Sequence, residues 1–197
     1  ETRVVQHAGV VLGMDTIADH LFWNVLDIQE PGYMDRAHLD QNFSAVTAAC
    51  LVIRKSLYED VGGMDEENLT VYYNDVDLCL KVREKEYLVT WTPFAVLVHH
   101  GSVSQKSEFA SRADETTQRI MNERSFMLKK WLPQLANDPF YNRNLSLSSR
   151  EMQIEAQMPT NWDTNFHDRE RILGLPLPGG SGDYRVIQPF SALSHAA

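Results

Sequence analysis

Apolar positions along this chain come in short runs, and their spacing predicts a mixed α/β domain. Val4 to Leu12 is β-branched and apolar and stops at Gly13, which predicts one or two short strands. Asp15 to Asp40 keeps no steady period: Phe22, Trp23 and Tyr33 are scattered around a Pro31-Gly32 turn. That predicts a loop with a single helical turn, draped over an edge. Phe43 to Lys55 opens with small residues and ends as a strand. Ser56 is placed to N-cap a short helix, with Glu59 completing a capping box and Gly62-Gly63 ending it.

The most informative stretch is Val71 to Ser104. Asn74 is a good N-cap, and Asp75 and Asp77 fall in the first turn, where the helix dipole favours negative charge. Val76, Cys79, Leu80 and the stem of Arg83 share one face, and Lys81, Arg83 and Lys85 load the last turns. Tyr87 to Thr92 reads as a strand ended by Pro93. Ala95 to Val98 is wholly apolar, as in a strand covered on both faces. Gly101 to Ser111 is a small, polar loop. Glu115 to Leu132 predicts a long helix, with Pro133 just past its end. Asp138 to Ser148 reads as an extended tail packed on the body, followed by a linker. Periodicity returns at Arg171 to Leu177 as a strand, then a Pro-Gly-Gly-Ser-Gly turn and the start of a helix.

Composition narrows the function. In 197 residues, 43% hydrophobic content supplies a core for one domain, or one domain and part of a second. A net charge of −9 argues against a nucleic-acid face and against an anionic membrane surface. An anionic ligand would need a metal ion or a helix N-terminus. Cys50 and Cys79 lie in apolar runs, so both are expected as buried free thiols in a reducing, cytoplasmic setting. No run reaches the ~18 apolar residues of a membrane span, and no signal peptide is recognisable. The abrupt start at Glu1, without a methionine, reads as a piece of something longer.

Asp75 and Asp77 form a literal D-x-D. On a helix, positions i and i+2 point about 200° apart, so the pair converges poorly on one ion. Two readings stay open: both carboxylates only cap the helix, or Asp77 bonds to free backbone N–H groups of the first turn while Asp75 projects into a cleft as a general base. His99 and His100 are adjacent on a predicted strand and point to opposite faces. One can join a metal site while the other packs or meets solvent. His7, His20, His38, His167 and His195 are scattered. No H-E-x-x-H, C-x-x-C, G-x-S-x-G or Walker A pattern is present.

Several motifs in order carry a family resemblance. T-A-A-C-L-V-I-R-K-S-L-Y-E-D-V-G-G-M-D-E-E, Y-N-D-V-D-L-C-L-K-V-R-E-K-E-Y and W-T-P-F-A-V-L-V-H-H-G-S resemble the C-terminal, acceptor-binding half of the GT-A (nucleotide-diphospho-sugar transferase) fold of family-2 inverting glycosyltransferases. The likeness is to bacterial surface-polysaccharide enzymes of O-antigen or rhamnan type. Q-H-A-G-V-V-L-G and D-P-F-Y-N-R-N-L add to it, and together the matches cover residues 3–147. The resemblance implies a mixed sheet flanked by helices with an extended C-terminal tail. It places the catalytic base on Asp75, after Asn74 where the family carries an acidic residue. It places a metal-ligand histidine on His99, with His100 the runner-up, for a Mn²⁺ or Mg²⁺ ion that neutralises the departing diphosphate. Thr47 and Ala48 match the segment lining the acceptor side, and Ser102, Ser104 and Lys106 a loop over the diphosphate. The implied partners are a nucleotide-sugar donor, a saccharide or lipid-linked saccharide acceptor, and further glycosyltransferase domains of one parent chain. The donor-binding half and its metal-binding D-x-D would lie before residue 1, so the piece alone would be inactive. The expected organisation is a half GT-A domain over 1–136, a tail and linker over 137–168, and over 169–197 the opening strand and glycine loop of a Rossmann-like, GT-B-type domain. A non-catalytic saccharide-binding or scaffolding module derived from the same fold is the alternative.

Overall fold

The computed structural model describes residues 3–99, 113–155 and 186–188. The chain divides into one unit, Glu1–Ile154, and a second, Glu155–Ala197; all that follows concerns the first. It is mixed α/β. Strands β1 (Val10–Leu12) and β2 (Ala18–His20) form an antiparallel hairpin with Val10 opposite His20 and Leu12 opposite Ala18. Strands β3 (Gln41–Phe43) and β4 (Val89–Trp91) form a second antiparallel pair with Phe43 opposite Val89. A bridge in which the Val10 amide donates to the Ala45 carbonyl at 3.0 Å ties the hairpin to the end of β3.

Strand β1 separates two cores, because side chains alternate across a strand. Val10 and Leu12 pack with Ile17, Ala45 and Leu69 against the helices, while Val11 packs with Leu21, Phe22, Phe43, Tyr141 and Met152 on the other face. The region from Asp15 to Asp40 is therefore not a loop draped over an edge. It supplies β2 and, with Leu21, Phe22 and Leu26, part of the second core. Gly9 passes the ring of Phe43 so closely that an added Cβ would lie 2.4 Å from it, at a φ of +98°; no larger residue fits there. The stretch after Asn137 closes the second core. Asp138 accepts from the Leu12 amide at 2.8 Å and from the Ser44 hydroxyl at 2.6 Å, and Tyr141 and Leu145 are buried beside them. Burial pushes the Asp138 carboxyl up, and these hydrogen bonds and nearby Arg83 pull it back.

Helix α1 spans Lys55–Asp60, and Arg54, not Ser56, takes the cap position. The expected capping box is absent, because the helix begins one residue before Ser56. Helix α2 spans Asn74–Glu84. It is buried nearly all round, from Val76 to Leu80 and at Val82, rather than along a single stripe. Helix α3 spans Ala113–Ala136 and runs through Pro133, with a bend at Trp131 (φ −121°). Proline removes one helical hydrogen bond, yet the last turn stays docked because Trp131 and Leu135 are buried in the first core.

Three expectations fail for a shared reason. Cys50 is exposed while Cys79 is buried, and both are free thiols; burial holds the Cys79 thiol up at about 12. Residues 51–54 join no ladder, and Val52 is 98% exposed. Ala95 to Val98 forms no strand, and Val96, Leu97 and Val98 are 62%, 68% and 80% exposed. Apolar character marks what a segment can bury, but a strand also needs a neighbour to bond, and none of the described residues provides one. The predicted Arg171 to Leu177 strand and its glycine turn lie outside the described residues.

Candidate active site

Two carboxylates on α3 and α2 fix the start of α2. Asp77 is completely buried. It accepts from Lys130 Nζ at 2.6 Å and Trp131 Nε1 at 2.7 Å, both on α3, and pairs with Lys81 Nζ at 3.1 Å one turn along α2. The sequence reading gave Asp77 to backbone groups of its own helix. The structure gives it to α3, and a buried charge demands such partners. Glu123 of α3, buried, does the converse. It accepts from the Thr70 hydroxyl at 3.0 Å and from the amides of Val71 at 3.3 Å and Tyr72 at 2.6 Å.

Between these anchors lies a strained residue. Tyr73, not Asn74, is the residue before the first turn of α2, and it sits in the left-handed region at φ 61° with no side-chain cap. A non-glycine residue there costs about 1–3 kcal/mol and persists only where its surroundings hold it. The Glu123 bonds on one side and the Asp77 bonds on the other do so. Asn74 becomes the first helical residue. Asp75 follows at the tip, half-buried.

Asp75 Oδ2 accepts from the Ala48 amide at 3.0 Å, and Oδ1 from the Val76 amide at 2.9 Å. Thr47 caps the short 3-10 turn Ala48–Cys50, its hydroxyl accepting from the Ala49 amide at 3.3 Å. The structure therefore brings Thr47, Ala48, Asn74 and Asp75 together. Asn74 and Asp75 line a cleft of about 190 Å³ between the start of α2 and the β1–β2 hairpin, with Tyr72, Tyr73 and His20 among its other walls. That is below the ~300–1,000 Å³ of pockets for whole ligands, and it suits part of one. Burial raises the Tyr73 phenol above its ordinary value, so it stays a neutral donor.

His99 is exposed, and its Nδ1 lies 3.0 Å from Gln6 Oε1. Among the described residues, no three His, Cys, Asp or Glu side chains come together in a way that could hold a metal ion. These residues alone do not fit a complete metal site. His100, Ser102, Ser104 and Lys106 lie outside the described residues.

Sequence reasoning passed over two histidines. His7 and His20 meet edge to face with ring centroids 4.9 Å apart and Nδ1 atoms 3.2 Å apart. The Thr47 amide nitrogen lies 3.4 Å from His7 Nε2, and His20 Nδ1 lies 3.2 Å from the Gln6 carbonyl. Burial, reinforced by His20, pulls the His7 imidazole down to about 3. The two are 13 residues apart, and only the β1–β2 hairpin reveals their contact. None of the helices described is long and apolar enough to cross a membrane.

No family model and no solved structure matches the chain. It is 41% identical over 152 residues to an uncharacterized protein, y4gI, of Sinorhizobium fredii (strain NBRC 101917 / NGR234), a match covering 77% of this chain and 16% of that one. It is 31% identical over 147 residues to the O-antigen biosynthesis protein RfbC of Myxococcus xanthus, covering 75% of this chain and 11% of the relative. The chain thus spans well under a fifth of the length of either.

Proposed function

We propose that this chain is the acceptor-side half of a GT-A domain in an inverting family-2 glycosyltransferase that builds bacterial surface polysaccharide. The observation that carries the reading is the placement of Asp75. It stands at the tip of a rigidly anchored helix, on a cleft, with each carboxylate oxygen oriented by one backbone amide. Each oxygen keeps further acceptor capacity. The resemblance of the surrounding motifs and the similarity to a protein named for O-antigen biosynthesis support the same assignment.

In this reading a saccharide hydroxyl enters the cleft and hydrogen-bonds to Asp75. Its oxygen attacks the anomeric carbon of a nucleotide-sugar donor from the face opposite the diphosphate. A new C–O bond forms, the bond to the diphosphate breaks, and the proton passes to Asp75. A single displacement inverts the anomeric centre. The Tyr73 turn and the Asp77 anchor hold the base in place, which matters because a small misplacement of a catalytic group is costly. Thr47 and Ala48 line the acceptor side. The donor half is assigned to residues preceding Glu1. Mn²⁺ or Mg²⁺ belongs to the proposal as an ion to which His99 gives one ligand and other parts of the protein the rest. Bound there, it would neutralise diphosphate charge. Ser102, Ser104 and Lys106 are assigned to the diphosphate side.

The test is transfer by the longest natural chain containing this sequence, assayed with nucleotide sugars, Mn²⁺ and oligosaccharides. Asp75→Asn is expected to abolish transfer and a chelator to suppress it. Unchanged turnover in Asp75→Asn refutes the assignment of the base. If the unaltered chain binds saccharide but transfers nothing, the non-catalytic reading takes over.

A further inference from the structure

We propose that His20 is a second binding group for the saccharide acceptor, its Nε2 taking a hydrogen bond from a sugar hydroxyl in the cleft that Asp75 lines. This rests on the reading of the cleft as an acceptor site. His20 comes from β2, on the hairpin wall, and Asp75 from the first turn of α2, so the two line the cleft from different elements.

The proton arrangement follows from the partners. The Gln6 carbonyl oxygen can only accept, and it lies 3.2 Å from His20 Nδ1. His7 Nδ1 lies 3.2 Å from the same nitrogen. A proton on His20 Nδ1 serves both contacts at once. A proton on His7 Nδ1 would instead leave the bare nitrogen of His20 facing the carbonyl lone pairs. A neutral imidazole carries one N–H, so His20 Nε2 is bare and is the nitrogen left for the cleft. In this tautomer the His7 proton is on Nε2, so the Thr47 amide at 3.4 Å, the longest of the three contacts, loses that acceptor. His7 therefore acts on the tautomer and orientation of His20 as a positioning residue. Trp23 lies beside the imidazole, its ring centroid 6.0 Å from that of His20, with Arg150 stacked on it at 4.6 Å. A carboxylate, a bare imidazole nitrogen and two tyrosines suit a polyhydroxylated ligand, which brings several donors and apolar ring faces.

The experiment uses the full natural chain and a panel of di- and trisaccharides of hexoses and 6-deoxyhexoses as probes. Diethylpyrocarbonate acylates bare imidazole nitrogens, and peptide mapping reads each histidine. His20 is expected to react faster than His7 and to be protected by the panel member that accepts sugar. His20→Phe is expected to raise KM for that member about tenfold, the worth of one hydrogen bond, with kcat within about threefold. His20→Gln should recover part of the loss. An unchanged KM in His20→Phe, or failure of every panel member to protect His20, overturns the inference. Transfer that survives Asp75→Asn would instead remove the base assignment, while the KM and protection results still decide the role of His20.

Discussion

The two sides of helix α2 treat like residues in opposite ways. On the α3 side, Asp77 is buried and bonded to a lysine, a tryptophan and a second lysine. On the cleft side, Asp75 is half-buried and, among the described residues, held by two backbone amides. The two carboxylates are two residues apart on one helix. Their difference teaches that a D-x-D on a helix is two sites. One side chain is committed to the fold, with its charge neutralised by partners it cannot release. The other is oriented but not consumed, and that leaves it free for proton transfer.

Four changes sharpen this contrast. The largest effect is expected from Asp75→Asn, which removes the base and should lower kcat of the full chain about 10²–10⁴-fold, measured by product formation. Asp77→Ala comes next. It leaves Lys130 and Lys81 beside an uncompensated site and Trp131 Nε1 without its acceptor, and urea unfolding should show a loss of about 3–5 kcal/mol. Glu123→Gln is smaller. One amide oxygen cannot serve the Thr70 hydroxyl and both loop amides, so about 1.5–3 kcal/mol should be lost. The relaxed Tyr73 turn should also show as faster proteolysis around residues 70–73.

The smallest is His7→Phe, read against pH. The folded protein holds His7 at about 3, below the ordinary imidazole value of 6.5. Between those values the unfolded chain binds a proton that the folded one does not. The stability from neutral His7 is therefore present above pH 6.5 and is lost as pH falls towards 3. Asp138, raised by burial, acts in the opposite direction above its unfolded value, so the difference between wild type and variant is the quantity to read. Between pH 7 and 5 the wild type should lose about 1–2 kcal/mol more than His7→Phe in parallel urea titrations.

Local rules made much of this legible. Helix α2, the separation of Asp75 from Asp77, the strand at Val89–Trp91 and the small-residue segment at Thr47-Ala48 follow from period and side-chain volume, while both predicted caps, Asn74 and Ser56, proved to be helical residues. What stayed hidden depends on contacts distant in sequence. The partners of Asp77 lie 53 and 54 positions away, and the Leu12 amide finds Asp138 across 126. No periodicity encodes such pairs. The same holds for His7 and His20, which read as scattered until the hairpin joins them. Ala95 to Val98 misled in the other direction, since an apolar run states only that burial is favourable.

The central claim is that the two aspartates have separate duties, and one paired measurement tests it most directly. Asp75→Asn and Asp77→Asn are made in the full natural chain, and each is read for sugar transfer and for the urea midpoint of unfolding. The account predicts that Asp75→Asn keeps its midpoint and loses transfer, while Asp77→Asn lowers the midpoint and retains far more transfer than Asp75→Asn. A destabilised Asp75→Asn that still transfers sugar at the wild-type rate would contradict it.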